Sequence, residues 1–310
     1  MALTRFDGGI MRTGRFFPCA RTLARAALAV LVVLPVVGGT ARAEEKRPVV
    51  RLAVVNTPYQ SGLLAALLPQ FEKTSGYRVD VYSGSDVYEQ AESGKVDLLI
   101  SHYGKAPVEQ FVTSGKGAWP RPVFSNQAVL VGPKDDPAKI RGMTDPIAAM
   151  KKIIASGSRF LATSNAGERY LSELLIAGAG NPQRGAWYIA TDKSKGRAMT
   201  LAEEKGAYTI WGSFPFERFR RKHATGLEVM VWDTPIFHRV MATIVVNPEK
   251  FPGANVQGAR ALEAYLLTPA AQAAIAGFRE EGLDRQTWWP AGRNNNPAQL
   301  LGLTGEEAEE

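Results

Sequence analysis

Residues 123–131, Val-Phe-Ser-Asn-Gln-Ala-Val-Leu-Val, are the stretch on which the organisation of the chain depends. This extended, mostly apolar run ends at Gly132-Pro133, and it predicts one long β-strand. A second long apolar run, residues 241–246, ends at Asn247-Pro248 in the same way. Two long strands so far apart in the sequence can both pass between two lobes of one protein. We therefore predict a bilobal chain with two crossover strands.

The length of the chain agrees with two lobes. It has 310 residues, and a domain usually holds about 150. We place the first lobe at 44–124 together with 242–300, and the second lobe at 125–241. Periodicity alone does not require this division, but the two long strands explain it. The last residues, 301–310, are rich in glutamate and predict an acidic tail.

Outside the long strands, short apolar runs alternate with amphipathic segments. Residues 49–55 predict a buried strand, and residues 61–75 predict a helix because apolar residues recur at helical spacing. Further strands are predicted at 77–82 and 96–100. Strands that alternate with helices form βαβ units. We therefore predict an α/β fold whose parallel sheets are covered by helices.

The positive charge of the chain is concentrated near its start. The formal net charge is +7, but residues 1–43 hold six arginines and one aspartate, so the rest of the chain carries only +2. In this segment basic residues precede an apolar run of about a dozen residues, and Ala41-Arg42-Ala43 follows. This order predicts a signal peptide cleaved near Ala43 and export to the periplasm. The alternative is an uncleaved membrane anchor, although a bilayer span needs about 20 residues.

The single cysteine, Cys19, precedes the apolar run of the predicted signal peptide. A lipoprotein cysteine would follow such a run, at the cleavage site. We therefore expect a mature protein without cysteine, and so without a disulfide, a thiol nucleophile or a cysteine-ligated metal.

Polar loops follow four of the predicted strands, at 56–62, 83–86, 101–104 and 163–167. In an open α/β sheet, ligands bind beyond the carboxyl ends of the strands, where helix N-termini present free N–H groups. Hydroxyls, amides and such N–H groups suit an anion. The alternative is ordinary helix capping, because Ser, Thr and Asn are preferred at helix starts in any protein.

Ten residues of these loops are candidate ligand contacts. They are Asn56, Thr57, Ser61, Ser83, Gly84, Ser85, His102, Thr163, Ser164 and Asn165. His102 ends a predicted strand, where it is either a ligand contact or a structural histidine. In the second lobe, Lys195 and Arg197 are either cationic contacts or an exposed basic turn, and Arg197 joins the candidates. The basic cluster at 217–223 predicts a solvated helix face, so no nucleic-acid partner is expected.

A family resemblance adds to this interpretation. Residues 51–64, Arg-Leu-Ala-Val-Val-Asn-Thr-Pro-Tyr-Gln-Ser-Gly-Leu-Leu, resemble the start of periplasmic tungstate-binding proteins, in which a Thr-Thr-Thr-Ser loop precedes Tyr-Asp-Ser-Gly-Leu-Leu. Residues 132–137, Gly-Pro-Lys-Asp-Asp-Pro, and residues 204–209, Glu-Lys-Gly-Ala-Tyr-Thr, are fairly specific further matches. The resemblance spans about 49–292, nearly the whole predicted mature chain.

The resemblance implies a type II periplasmic binding protein, in which two α/β lobes joined by two crossover strands close over the ligand. It also implies a small anionic ligand, such as tungstate or molybdate, and an inner-membrane ABC permease as partner. We expect the binding protein to be a monomer.

At the implied ligand site the sequence departs from the family. The Thr-Thr-Thr-Ser loop aligns with residues 54–57, Val-Val-Asn-Thr, and loses two hydroxyls. The family's anion-binding arginine, in a Ser-Arg-Gly-Asp stretch, aligns with Thr163, and Arg169 in the following helix is the candidate replacement. Asn126 aligns with an asparagine of the family's corresponding strand and completes the candidate site.

Motifs of enzymes are absent from the sequence. It contains no G-x-S-x-G, H-E-x-x-H, Walker or G-x-G-x-x-G motif, and the three histidines lack metal-ligand spacing. We predict a binding protein with no catalytic residues, no cofactor and no metal. Two alternatives stay open: a protein of the same fold that binds an organic solute against its tryptophans, and a periplasmic hydrolase that uses a serine with His102.

Overall fold

The strand β4 (Arg121–Pro133) pairs with β9 (His238–Val245) in one sheet and with β7 (Tyr208–Gly212) in a second sheet, and this organises the molecule. A computed structural model describes residues 47–232, 234–283 and 285–290. The predicted signal peptide, 1–43, and the predicted acidic tail, 301–310, lie outside these residues. The strands are β1 (Val49–Val54), β2 (Arg78–Ser83), β3 (Leu98–His102), β4, β5 (Phe160–Ala162), β6 (Tyr188–Ala190), β7 (Tyr208–Gly212), β8 (Leu227–Val231), β9 (His238–Val245) and β10 (Trp289–Pro290).

Helices cover both sheets. They are α1 (Asn56–Gln60), α2 (Leu63–Ser75), α3 (Val87–Glu92), α4 (Ala106–Thr113), α5 (Pro146–Ala155), α6 (Ala166–Gly178), α7 (Lys195–Glu204), α8 (Ser213–Lys222), α9 (Val256–Leu266) and α10 (Pro269–Gly277). A short 3₁₀ turn, Pro235–Phe237, precedes β9.

The strand order is β2-β1-β3-β9-β4-β7-β5-β6, with β8 and β10 also paired to β4. In the first lobe β1 lies parallel to β2 and β3, as the alternation of strands and helices predicts. In the second lobe β5 lies parallel to β6 and β7. The first half of β4 pairs antiparallel with β9, and its second half pairs antiparallel with β7 and β8.

The long strands β4 and β9 run from one hydrophobic core to the other, so each has side chains near both cores. Phe124 packs in the core of the first lobe, whereas Ala128 packs in that of the second. On the return path, Phe237 lies in the second core and Met241 in the first. The α/β fold with two crossover strands is therefore confirmed. The lobe boundaries at 124/125 and 241/242 stay a prediction, and these changes of core fall close to them.

A difference from the predicted elements lies at the start of the first helix. The sequence pattern predicts a loop at 56–62 and one helix from 61. Instead the chain forms the short helix α1, and α2 begins after Gly62. Gly62 has φ of 83°, a left-handed conformation that glycine adopts without a Cβ penalty, and this separates the two helices.

Candidate functional site

A cleft of about 500 Å³ lies where the two lobes face each other. Asn56, Thr57 and His102 reach it from strand ends of the first lobe, and Asn165 and Lys195 reach it from helix starts of the second. It therefore lies beyond the carboxyl ends of parallel strands, where the pattern of polar loops predicts a ligand site.

The two crossover strands form the floor of the cleft. Asn126 of β4 and Arg239 of β9 are register partners in the antiparallel ladder, and both line the cleft. The Oδ1 atom of Asn126 is buried and accepts no hydrogen bond from the residues that the structure describes. Ligand donors fit such an oxygen, because a buried polar atom without a partner is costly.

Arg239 brings a guanidinium to the start of α6. Its Nη2 atom lies 3.0 Å from the place that a Cβ atom would take on Gly167, the second residue of that helix. Burial lowers the pKa of Arg239, and the carboxylate of Glu168 counteracts this. An arginine keeps its proton through such a shift, because its ordinary pKa is so high. The cleft thus holds a fixed positive charge beside the positive end of a 13-residue helix.

The first turn of α6 is capped locally by Asn165. Its Oδ1 atom accepts the backbone N–H groups of Gly167, at 3.0 Å, and Glu168, at 3.4 Å. The asparagine is therefore both a cleft residue and an N-cap, so both interpretations of this loop hold in part.

Glu168 places one carboxylate among the cations of the cleft. Its side chain lines the cleft, the residue is only 4% exposed, and Oε2 accepts a hydrogen bond from the Thr163 hydroxyl at 3.3 Å. Burial raises the pKa of Glu168, while Arg239, Thr163, Lys105 and Lys195 act in the opposite direction. These three cations outnumber the single carboxylate, so the net charge around Glu168 is positive.

His102 presents a neutral imidazole. Both ring nitrogens are buried and form no hydrogen bond with the described part of the chain. Burial lowers the pKa of His102 well below its usual value, and Arg239 and Lys105 lower it further. A neutral imidazole has one N–H donor and one acceptor nitrogen, so His102 can either donate to a ligand or accept from it.

Two lysines act electrostatically on Glu168. Lys105 precedes α4. Burial and the charge of Arg239 lower the pKa of Lys105, whereas the charge of Glu168 raises it. Lys195 is the first residue of α7 and lines the cleft. Arg197, the predicted cation of this helix, is exposed and is not part of the cleft wall.

Aromatic side chains form the wall of the cleft on the side of α8. Trp211, Phe214 and Phe219 line it, and the Trp211 and Phe219 rings meet edge to face with centroids 6.0 Å apart. The Arg218 guanidinium stacks 5.6 Å above the Phe214 ring, and its Nη1 atom donates to Gln60 across the cleft. This wall offers apolar contact that an inorganic anion does not need.

Five of the predicted contacts line this cleft: Asn56, Thr57, His102, Asn126 and Asn165. Two others lie directly behind it, since the Ser83 hydroxyl donates to Asn56 Oδ1 at 3.2 Å and the Thr163 hydroxyl donates to Glu168. The remaining predicted contacts, which do not form part of the cleft wall, are Ser61, Gly84, Ser85, Ser164, Arg169 and Arg197.

Local hydrogen bonds hold several of these outer residues. The Ser61 hydroxyl donates to the carbonyl of Pro58 and accepts from the N–H of Leu63. Arg169 Nε donates to the backbone carbonyl of Thr163 at 3.2 Å. The guanidinium that lies against Gly167, in the first turn of α6, is that of Arg239.

Arg239, Glu168 and Lys105 were not among the predicted contacts, and Lys195 was predicted as either a cationic contact or part of an exposed basic turn. Arg239 lies two residues before the predicted start of the second long strand, and this was the one available signal: a charged residue on an otherwise apolar crossover. Its approach to α6 depends on the register of β9 against β4, which sequence periodicity does not contain.

Comparison with known proteins decides the family. Residues 52–279 match the sequence profile of the bacterial extracellular solute-binding proteins. The chain belongs to this family. Members bind solutes for ABC transporters and are not enzymes, so the hydrolase alternative falls away. Among the described residues, no group of acidic or histidine side chains is arranged to hold a metal, and no helix is long and apolar enough to cross a membrane.

Two relatives are particularly similar to this solute-binding protein. The tungstate-binding protein TupA of Peptoclostridium acidaminophilum is 31% identical over 236 residues, covering 74% of this chain and 81% of the relative. A putative ABC transporter anion-binding protein of Haloferax volcanii is 30% identical over 268 residues, covering 84% of this chain and 77% of the relative.

Solved structures of similar proteins share the two-lobe fold. The tungstate-binding protein TupA from Desulfovibrio alaskensis superposes with a TM-score of 0.68 at 27% identity, covering 78% of this chain and 98% of that structure. The tungstate ABC transporter structure from Geobacter sulfurreducens superposes with a TM-score of 0.61 at 29% identity, covering 74% and 98%. The resemblance to tungstate-binding proteins seen in the sequence motifs is thereby confirmed.

Proposed function

We propose that this protein binds a small oxyanion of the tungstate or molybdate kind in the cleft and delivers it to an ABC permease. Relatives described as tungstate-binding and anion-binding support an anionic ligand. The observation that carries the proposal is the position of Arg239, whose guanidinium faces the first turn of α6. A guanidinium supplies charge-assisted donors for an oxyanion, and the positive end of the helix adds a favourable partial charge.

The balance of charge around this point favours an anion. Arg239, Lys105 and Lys195 all interact electrostatically with Glu168, so one negative group is matched by three positive groups. The neutral imidazole of His102 adds an N–H donor from the first lobe. A desolvated dianion requires several such partners to replace its hydration.

The size of the cleft indicates that the lobes approach each other on binding. A volume of about 500 Å³ far exceeds one tetrahedral oxyanion. In the bilobal proteins of this kind, the lobes close over the ligand. We propose that β4 and β9 act as the hinge, with lobes at 44–124 plus 242–300 and at 125–241.

A second candidate ligand is an organic anion with an apolar part. The aromatic wall of Trp211, Phe214 and Phe219 favours it, together with the same cleft volume. In this case the acidic group would bind Arg239, and the apolar part would contact the wall. Native mass spectrometry of the purified protein distinguishes the two candidates by the mass of any bound molecule.

We also propose that the protein acts as a monomer in the periplasm after cleavage of residues 1–43 near Ala43. The family of extracellular solute-binding proteins supports this location. The test is the N-terminal sequence of the exported protein, together with its mass in solution. An N-terminus upstream of residue 40, or a stable dimer, would contradict this proposal.

The binding test uses tungstate, molybdate, sulfate and phosphate. A ligand at 100 times its Kd stabilises a protein by about 2.7 kcal/mol, which raises the Tm of a chain of this size by about 5–10 °C. We expect such a rise with at least one oxyanion. Arg239→Gln should weaken the binding by about 100-fold, because truncating one partner of a buried charge pair costs roughly 2–5 kcal/mol.

Two further arginine variants make this test specific. Arg169→Gln tests the arginine that the sequence predicted as a contact. We expect this variant to weaken binding much less than Arg239→Gln, because the Nε atom of Arg169 donates a hydrogen bond to the Thr163 carbonyl. Arg260→Gln changes an exposed arginine of α9 and should leave the affinity unchanged. An affinity that falls with Arg169→Gln and not with Arg239→Gln would transfer the role to Arg169.

A further inference from the structure

The carboxylate of Glu168 is an unusual group for an anion-binding cleft. It is the third residue of α6, it is nearly fully buried, and the only hydrogen bond that the structure gives its carboxylate among the described residues comes from Thr163. Gly167, its neighbour in the same first turn, lies against Arg239. An oxyanion held by Arg239 and by this turn therefore lies beside Glu168.

Two negative groups in such a position repel each other, and burial strengthens the repulsion because little water screens it. The repulsion disappears if one proton lies between the carboxylate and the oxyanion, where it forms a hydrogen bond in place of a like-charge contact.

We propose that Glu168 and the bound oxyanion share one proton, so that binding of a fully deprotonated dianion transfers one proton from solvent to the Glu168 carboxylate. This inference rests on the proposed function and adds a rule of selectivity to it. An oxyanion that carries its own proton, such as hydrogen phosphate, supplies that proton itself and needs none from solvent. Sulfate, molybdate and tungstate carry no proton near neutral pH and require the uptake.

Among the groups that face each other here, Glu168 is the one that can take up the proton. Arg239 on β9, Lys105 before α4 and Lys195 on α7 are the basic groups whose charge acts on Glu168. His102 on β3 lies near Arg239 and Lys105, and both oppose its protonation. Burial already raises the pKa of Glu168 before any ligand binds, and an adjacent dianion would raise it further.

The test is isothermal titration of the full-length mature protein with molybdate in buffers of different ionisation enthalpy. The dependence of the observed enthalpy on the buffer gives the number of protons taken up. We expect close to one proton per molybdate in the wild type and none in Glu168→Gln. We also expect the wild-type affinity for molybdate to fall about tenfold per pH unit above neutrality, and that of Glu168→Gln to stay constant.

Control variants identify the group that takes up the proton. Glu204→Gln changes an exposed glutamate at the end of α7 and should keep the full uptake. Hydrogen phosphate, titrated at pH 8, should bind the wild type with no uptake. Uptake that persists in Glu168→Gln and disappears in His102→Gln would assign the proton to His102 and overturn the proposal.

Failure of this proposal is distinguishable from failure of the proposed function. Molybdate that binds the wild type with no uptake of protons would overturn the role of Glu168 and leave oxyanion binding intact. The absence of any heat or thermal shift with all four oxyanions, also at pH 6, would overturn the proposed ligand itself. The wild-type measurement alone decides the first question, so it does not depend on the folding of a variant.

Discussion

Arg239 Nη2 lies 3.0 Å from the position that a Cβ atom would occupy on Gly167. The arginine extends from a crossover strand, and the glycine lies in the first turn of α6. By resemblance to tungstate-binding proteins, the arginine of this loop would stand at position 163, where this chain has a threonine. The structure instead brings a guanidinium to the loop from β9, and a residue without a side chain at 167 makes room for it.

Gly167→Ala tests this close approach. The new methyl group would displace the flexible end of Arg239, and we expect the affinity for molybdate to fall about tenfold. The fold should tolerate the change, because alanine in a helix is more favourable than glycine by about 1 kcal/mol. Titration calorimetry and urea unfolding measure the two effects separately.

Gly277→Ala is the matched control for this variant. It also replaces a glycine of a helix, and nothing lies within 4 Å of the new Cβ. It should leave the affinity unchanged. Equal affinities for Gly167→Ala and Gly277→Ala would show that Arg239 does not act from this position.

The ionisation of His102 is a second prediction. Its pKa is lowered in the folded protein, mainly by burial, so the folded state favours the neutral ring. The stability that this group contributes is present above its unfolded pKa of about 6.5 and is lost as the pH falls through the folded value. NMR of the imidazole should therefore show a neutral His102 down to pH values well below 6.5.

Spectra of His102→Gln assign the resonance of His102 in this experiment. On addition of molybdate we expect the resonance to shift, because the ring lines the cleft. An imidazole that titrates at the usual value would contradict the burial of its two nitrogens.

Glu280 gives a pH dependence of stability that is separate from the cleft. It is 5% exposed, its Oε1 atom lies 3.8 Å from Arg221 of α8, and burial, with a contribution from Glu217, raises its pKa to about 7. Because the folded pKa exceeds the unfolded value of 4.5, its contribution is complete below pH 4.5 and is lost as the pH rises through 7.

Urea unfolding between pH 5 and pH 8 measures this effect. The wild type should lose about 2–3 kcal/mol more over this range than Glu280→Gln, since one pKa unit corresponds to about 1.4 kcal/mol. Glu281→Gln changes the exposed neighbour and should behave as the wild type. Parallel curves for the wild type and Glu280→Gln would refute the prediction.

The buried carboxylate of Asp97 is expected to support the first lobe without affecting binding. Its carboxylate accepts the backbone N–H groups of Arg51, at 2.7 Å, and Asn255, at 2.9 Å, and pairs with the Arg51 guanidinium at 2.5 Å. Asp97→Ala leaves these donors unpaired and should lower the free energy of unfolding by roughly 3 kcal/mol.

An exposed ion pair is the matched control for Asp97. Asp80 pairs with Arg78 at 3.1 Å, and both side chains are more than half exposed. Asp80→Ala should cost less than about 1 kcal/mol. Neither variant should change the affinity for molybdate, because neither residue lines the cleft. A large loss of affinity in Asp97→Ala at a temperature where it is folded would contradict this separation.

The sequence predicted those elements of the fold that depend on the spacing of apolar residues within one segment. The alternation of β1, α2 and β2 follows from apolar spacing, and the two crossover strands follow from two long apolar runs. The residues of α1 were predicted as a loop, because the left-handed turn at Gly62 that separates α1 from α2 depends on one backbone angle. The pattern of polar residues after strands predicted four residues that line the cleft, among them His102 and Asn165, and the family resemblance added Asn126.

By itself, the sequence predicted the α/β fold with two long crossover strands and the edge of the sheets at which polar loops gather, because hydrophobic periodicity and the order of elements along the chain can be read from neighbouring residues. Only the tertiary structure decided which charges meet there. Asn126 pairs with Arg239 in the register of the crossover strands, and this register places the guanidinium beside Gly167 and Glu168. The electrostatics of the cleft depend on such distances, which the packing of two sheets fixes and no local pattern encodes.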